Sequence, residues 1–142
     1  MIMKNAFPQP DMRRSEWLNL NGEWDFSLDS PVYDKKINVP YPWGSPLSGI
    51  EDDKDGTGYY RRVVRWSPNG GHVFLIFGAV DYDCVVRVNG KELGSHRGGY
   101  ARFEFDVTDI WDRSGDNTID VCPTAVRVPV FRGHSESINV ET

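Results

Sequence analysis

The chain has 142 residues, a formal net charge of −5, and 39% hydrophobic and 26% charged residues, which is one soluble domain's worth of sequence with enough length to bury most of its apolar surface. The acidic balance and the lack of a basic stripe exclude nucleic acid as the expected partner. No apolar run approaches the roughly 20 residues of a membrane span, which excludes a helical membrane protein.

Aromatic residues reach 13%, with five Trp. They could build a core of broad flat side chains or a surface on which sugars stack. Most sit in strand-like alternation, which favours the core. The start, MIMKNAFPQPDMRR, lacks the roughly 7–15-residue apolar stretch of a signal peptide. A cytoplasmic location is therefore expected.

Phe7–Asp11 carries two prolines and reads as an extended arm. Ser15-Glu16-Trp17-Leu18 could form one helical turn. Asn21-Gly22 makes a tight turn. Trp24, Phe26 and Leu28 then alternate with Glu23, Asp25 and Ser27, a strand with one apolar face. Pro31 ends it, because proline cannot donate to a ladder. Lys35–Val39 reads as an edge strand. Pro40, Pro42 and Pro46 make the next stretch rigid and non-helical, with Trp43, Leu47 and Ile50 as its expected anchors. Glu51-Asp52-Asp53-Lys54-Asp55-Gly56 is an acidic, exposed loop: a solvated turn, or else a metal or sugar site. Its spacing does not meet the calcium-loop pattern, so no metal is assigned.

Tyr59–Trp66 is a strand with Tyr60, Arg62, Val64 and Trp66 on one face. Arg62 is expected at the rim, its stem packed and its head in water. Val73–Phe77 is a continuous apolar run, as in a strand covered on both sides. Val80–Val88 is a strand with Tyr82, Cys84, Val86 and Val88 facing inward. Asn89-Gly90 is a strong hairpin signal, since both residues accept the φ > 0 of a type I′ turn. The chain returns through Lys91–Ser95 into a glycine corner, Gly98-Gly99-Tyr100. Phe103, Phe105 and Val107 alternate with polar residues in another strand. Asp109-Ile110-Trp111 could make a single helical turn. Ile119 and Val121 point inward from the last clear strand.

About seven or eight strands separated by turns, with no long helix, imply an all-β fold: an antiparallel two-sheet β-sandwich. Cys84 lies mid-strand on the core face, which favours a buried thiol over a disulfide with Cys122. Candidate chemistry is sparse. Glycoside hydrolysis needs two carboxyl groups held at fixed separation on rigid elements, and none of the 21 acidic residues stands in such a pair. His72, His96 and His134 share no metal-ligand spacing. No nucleophile elbow or phosphate loop occurs. No catalytic residue and no cofactor are assigned.

FGAVDY, VxVNGKELG, HxGGY and FEFDVTDI, in this order, resemble the N-terminal sugar-binding domain of glycoside hydrolase family 2. WLNLNGEWDF, VPYPWGSPLSGI and YYRR extend the resemblance upstream. It covers about residues 7 to 122. The resemblance implies a jelly roll of the galactose-binding-domain-like type, with residues 123–142 beginning a linker to a further domain. It also implies a β-galactosidase-like parent that hydrolyses terminal β-glycosides with retention. The catalytic glutamates of the family lie in a (β/α)₈ barrel of about 250 residues, so this domain would pack against that barrel as its partner and lend loops to the active-site rim. Two stretches match those loops: Asp52–Gly58, with Asp55 as the side chain implied to touch the terminal sugar, and the segment after Cys122. In the second, Pro123-Thr124 and Arg132-Gly133 keep the family frame, while Ala125-Val126-Arg127-Val128 replaces its acidic residues. Arg132 could bond a sugar hydroxyl or carboxylate, or form a salt bridge within the domain. Arg97 and Tyr100 could face a partner or sugar, or Tyr100 could pack beneath the glycine corner. The rival reading is a free-standing carbohydrate-binding module. It requires solvent-facing aromatics, with Trp43, Trp66 and Trp111 as the candidates.

Overall fold

The computed structural model describes residues 17–52, 56–69, 71–78, 83–97, 102–125 and 138–141. These form ten strands in two antiparallel sheets, the sandwich expected from the alternation pattern. In chain order they are β1 (Trp17–Asn19), β2 (Gly22–Leu28), β3 (Lys35–Val39), β4 (Gly56–Arg65), β5 (Phe74–Phe77), β6 (Asp83–Val88), β7 (Lys91–Arg97), β8 (Phe103–Asp106), β9 (Asp116–Ala125) and β10 (Ile138–Glu141). One sheet has six strands in the order β3-β2-β4-β9-β6-β7, and the other has four, β1-β10-β5-β8. The only helical piece among the described residues is a 3₁₀ turn at Pro46–Ser48.

Period-two patterning builds the core. Trp24 and Phe26 of β2, Tyr60 and Val64 of β4, Cys84, Val86 and Val88 of β6, and Ile119 and Val121 of β9 all point inward and are buried. Leu75 and Phe77 of β5 meet them from the other sheet. Aromatic rings pair across neighbouring strands within each sheet: Phe26 of β2 meets Tyr60 of β4 edge-on at 5.0 Å between centroids, and Phe77 of β5 stacks on Phe103 of β8 at 4.7 Å. Ile76, of opposite parity, is also fully buried, so β5 is covered on both sides as its unbroken apolar run implies. Asn89 (φ 54°) and Gly90 (φ 83°) supply the left-handed turn between β6 and β7. The Asn89 amide also donates to Ile110 O and Asn117 Oδ1 and accepts from Thr118 N.

Several local expectations are corrected. Trp17–Asn19 is strand, not a helical turn, because it pairs with β10. The last strand does not end near residue 122: β9 runs to Ala125, and Ile138–Glu141, read as linker, forms β10 between β1 and β5. Four residues with one alternation give too little pattern to declare a strand. Trp43 and Ile50 anchor the proline-rich connection, but Leu47 is 64% exposed. Arg62 is half-buried, and its head is not left to water alone. It turns inward and donates to Leu20 O at 2.8 Å and Asn21 O at 3.5 Å, and burial lowers its pKa. The arm Phe7–Asp11, Asp81, Tyr82 and the corner Gly98-Gly99-Tyr100 lie outside the described residues, as does the side chain of Arg97.

Candidate functional site

The two segments singled out as sugar-facing enter and leave the fold side by side. β4 begins at Gly56, β9 ends at Ala125, and these two residues are register partners. One step further in, Thr57 pairs with Thr124, and their hydroxyls lie 3.2 Å apart. Asp29, at the end of β2, closes this corner. Its N–H donates to Thr57 O at 2.8 Å, and its carboxylate faces the Thr57 N–H at 3.4 Å. Asp29 itself adopts φ 69°, a conformation that Asp tolerates better than most residues. Gly56 (φ 154°) lies so close that an added Cβ would stand 2.5 Å from Asp29 Oδ1. The base of the first segment is therefore held by backbone, carboxylate and hydroxyl contacts to two other strands.

Beneath it, Gly58 makes room for a ring cluster. A Cβ there would fall 2.8 Å from Trp43, 3.1 Å from Phe26 and 3.2 Å from Tyr60. Glu51 and Asp52 are exposed. Asp55 and Arg132, the two side chains implied to touch sugar, both lie outside the described residues. So do residues 79–82 and 98–101. On the neighbouring strands, Asp83 of β6 is the register partner of Thr124 and of Arg97.

The outer face of the six-stranded sheet continues from this end. Arg61 Nε donates to Asp120 Oδ1 at 2.6 Å and Nη2 to Oδ2 at 3.3 Å, a bidentate pair. That bond holds the guanidinium pKa up, and the Tyr33 ring lies over its carbon at 4.3 Å. Burial, then the nearby Asp120 charge, push the Tyr33 hydroxyl above its ordinary value. Neither Arg61 nor Asp120 was singled out from the sequence. Their meeting depends on the register of β4 against β9, separated by 59 positions, and no local signal announces it.

Cys84 and Cys122 sit on adjacent strands but face opposite sides of the sheet, since Val85, not Cys84, is the register partner of Cys122. Both are thiols, and burial pushes that of Cys122 up.

The tryptophans proposed as a sugar platform are not one. Trp43 and Trp111 are buried and Trp66 is half-buried. Trp111 meets Trp66 edge-on at 6.3 Å and donates its Nε1–H to Trp66 O at 3.0 Å. The free-standing-module reading loses its expected contact surface, because the ring faces were needed to close the core. Among the described residues no group of three or more His, Cys, Asp or Glu could hold a metal. His72 instead contacts Asp106 at 3.1 Å.

The fold defines a class: an antiparallel two-sheet β-sandwich. Against the crystal structure of Ruminococcus gnavus β-glucuronidase it aligns with a TM-score of 0.71 at 17% identity, over 89% of this chain and 28% of that one, which establishes the fold. Residues 3–129 match the family described as glycosyl hydrolases family 2, sugar binding domain, and the chain belongs to that family. Relatives include a β-glucuronidase of Bacteroides fragilis, 32% identical over 106 residues, and one of Paenibacillus borealis, 28% identical over 134 residues. The matches cover 70% and 81% of this chain but only 15% and 22% of those proteins.

Proposed function

We propose that the chain is the non-catalytic sugar-recognition and scaffolding part of a retaining β-glycosidase, and that the sugar recognised is a terminal β-linked uronic acid. The β-glucuronidase name carried by the relatives favours glucuronate over the galactose implied by motif resemblance. In this reading the domain packs against a catalytic barrel and presents the segments leaving Gly56 and Ala125 to the sugar. The supporting observation is the Gly56–Ala125 register with its Thr57–Thr124 and Asp29 ties. It anchors both segments on neighbouring strands, and binding groups held on rigid elements lose less freedom when a ligand arrives.

The test is amide-resolved NMR titration of the chain with methyl β-D-glucuronide and methyl β-D-galactoside, with hydrolysis of the 4-nitrophenyl glycosides assayed in parallel. The expected result is a glucuronide-dependent shift at Gly56–Gly58 and Thr124–Ala125, with no hydrolysis. Equal silence toward both sugars overturns the recognition role, and turnover by the chain alone overturns the non-catalytic one.

A further inference from the structure

One row of side chains crosses the whole outer face of the six-stranded sheet. In spatial order it runs Lys36 (β3), Asp25 (β2), Arg61 (β4), Asp120 (β9), Arg87 (β6) and Glu92 (β7). Each is the register partner of the next: Lys36 with Asp25, Asp25 with Arg61, Arg61 with Asp120, Asp120 with Arg87, and Arg87 with Glu92. The charges alternate at every step. Three contacts are direct: Lys36 with Asp25, Arg61 with Asp120 at 2.6 Å, and Arg87 with Glu92 at 3.2 Å. Cross-strand pairs of opposite charge steady a sheet, so part of this row serves the fold. The exposed ends exceed that need. Lys36 and Glu92 remain 62% and 56% exposed, against 11% for Asp120 at the centre.

A row of six alternating charges has a geometric property. Turned end for end about a twofold axis lying between two facing copies and perpendicular to the row, each position meets one of opposite sign. Lys36 then faces Glu92 of the other copy and Asp25 faces Arg87, while Arg61 and Asp120 fall at the centre, where Asp120 is buried and the Tyr33 ring lies over Arg61. The alternative twofold, along the row, sets like against like. An isologous contact needs this kind of self-complementarity. The same face carries Val63, 55% exposed, and the half-buried Tyr33 over Arg61, so apolar surface accompanies the charges.

We propose that this face is a contact between two copies of the chain, paired end for end across the charge row. The contact is small. Five strand spacings of about 4.8 Å give a width of about 24 Å. With the flanking rows it covers about 400 Å² per copy, roughly half that of a standard stable interface. The dimer is therefore weak, specified by charge, and dissolved by salt that screens exposed pairs. Oligomeric state is read separately from sugar binding, so this inference and the sugar reading can fail independently.

The test uses the full 142-residue chain in sedimentation equilibrium at rising concentration. The expected result is a dimer at about 100 μM in low salt, a Kd range a small contact can reach, and a monomer at about 0.5 M salt. Lys36→Glu or Glu92→Lys alone sets two like-charge pairs in each dimer and weakens association by about tenfold or more. An equimolar mixture of the two variants restores both pairs and with them the dimer, seen as the heterodimer mass by native mass spectrometry. Circular dichroism confirms that each variant is folded, as expected for exposed positions on edge strands. A wild-type monomer throughout the low-salt range, variants that dimerise like wild type, or a mixture that stays monomeric would overturn the proposal.

Discussion

Gly58→Ala is the sharpest test of how the loop-bearing end is built. Gly58 sits in β4, two positions inside Gly56, and its φ is not in the left-handed region, so backbone strain plays no part. The added methyl would lie 2.8 Å from Trp43 Cζ3, 3.1 Å from Phe26 Cε1 and 3.2 Å from Tyr60 Cε1. Carbon atoms prefer about 3.5–4.0 Å, so three aromatic atoms must each retreat by at least a few tenths of an ångström. They cannot retreat independently. Phe26 already contacts Trp43 at 5.7 Å and Tyr60 at 5.0 Å between centroids, and all three rings are buried. Overpacking of this kind costs about 1–3 kcal/mol. The smaller entropy of the unfolded alanine chain returns about 0.4–1 kcal/mol. The net loss is about 1–2 kcal/mol, a fall in Tm of about 3–7 °C for a domain of this size. Urea unfolding should show a lower midpoint with an unchanged slope. A midpoint equal to wild type would mean that the rings yield freely, and the argument from close packing would be wrong.

Three further outcomes follow from named contacts. In a double-mutant cycle, Arg61→Ala and Asp120→Ala should couple by about 0.5–1 kcal/mol in urea unfolding, discounted because the Arg61 side chain is 41% exposed; additive losses would dissolve the pair. The Thr108 hydroxyl, then its backbone N–H, hold the Asp106 carboxyl below its ordinary value. A depressed carboxyl contributes stability above its unfolded pKa and loses it as pH falls through the folded one. Thr108→Val should therefore raise the Asp106 pKa in an NMR titration and remove its share of acid sensitivity; an unmoved titration would contradict this. In native protein a thiol reagent should modify Cys122 slowly and Cys84 only on unfolding, as mass mapping would show, because Cys84 is 1% exposed and the Cys122 thiolate is disfavoured by burial. Equal labelling of both would refute that difference.

The periodicity of the chain determined the sandwich. Trp24/Phe26, Tyr60/Val64, Cys84/Val86/Val88 and Ile119/Val121 could share a face only as strands, and all are buried as alternation demands. Asn89-Gly90 was legible because its chemistry is local: two residues that tolerate positive φ specify their turn unaided. The motifs likewise pointed to family 2 without any fold in hand. What the sequence could not decide depended on partners distant along the chain. Trp17–Asn19 and Ile138–Glu141 are too short to declare themselves: the first is a strand because it pairs with the second, and the second because it pairs with both the first and β5. Alternation favoured the core for most of the aromatic residues, but an indole ring also suits sugar stacking, and only the packing of two sheets buried Trp43 and Trp111. Arg62 is half-buried, as a rim residue would be, but only the β1–β2 corner gave its head the Leu20 carbonyl as a partner at 2.8 Å. The six-charge row is the extreme case. Each residue merely has outward parity in its own strand, and strand register, set by tertiary pairing, alone puts opposite charges side by side.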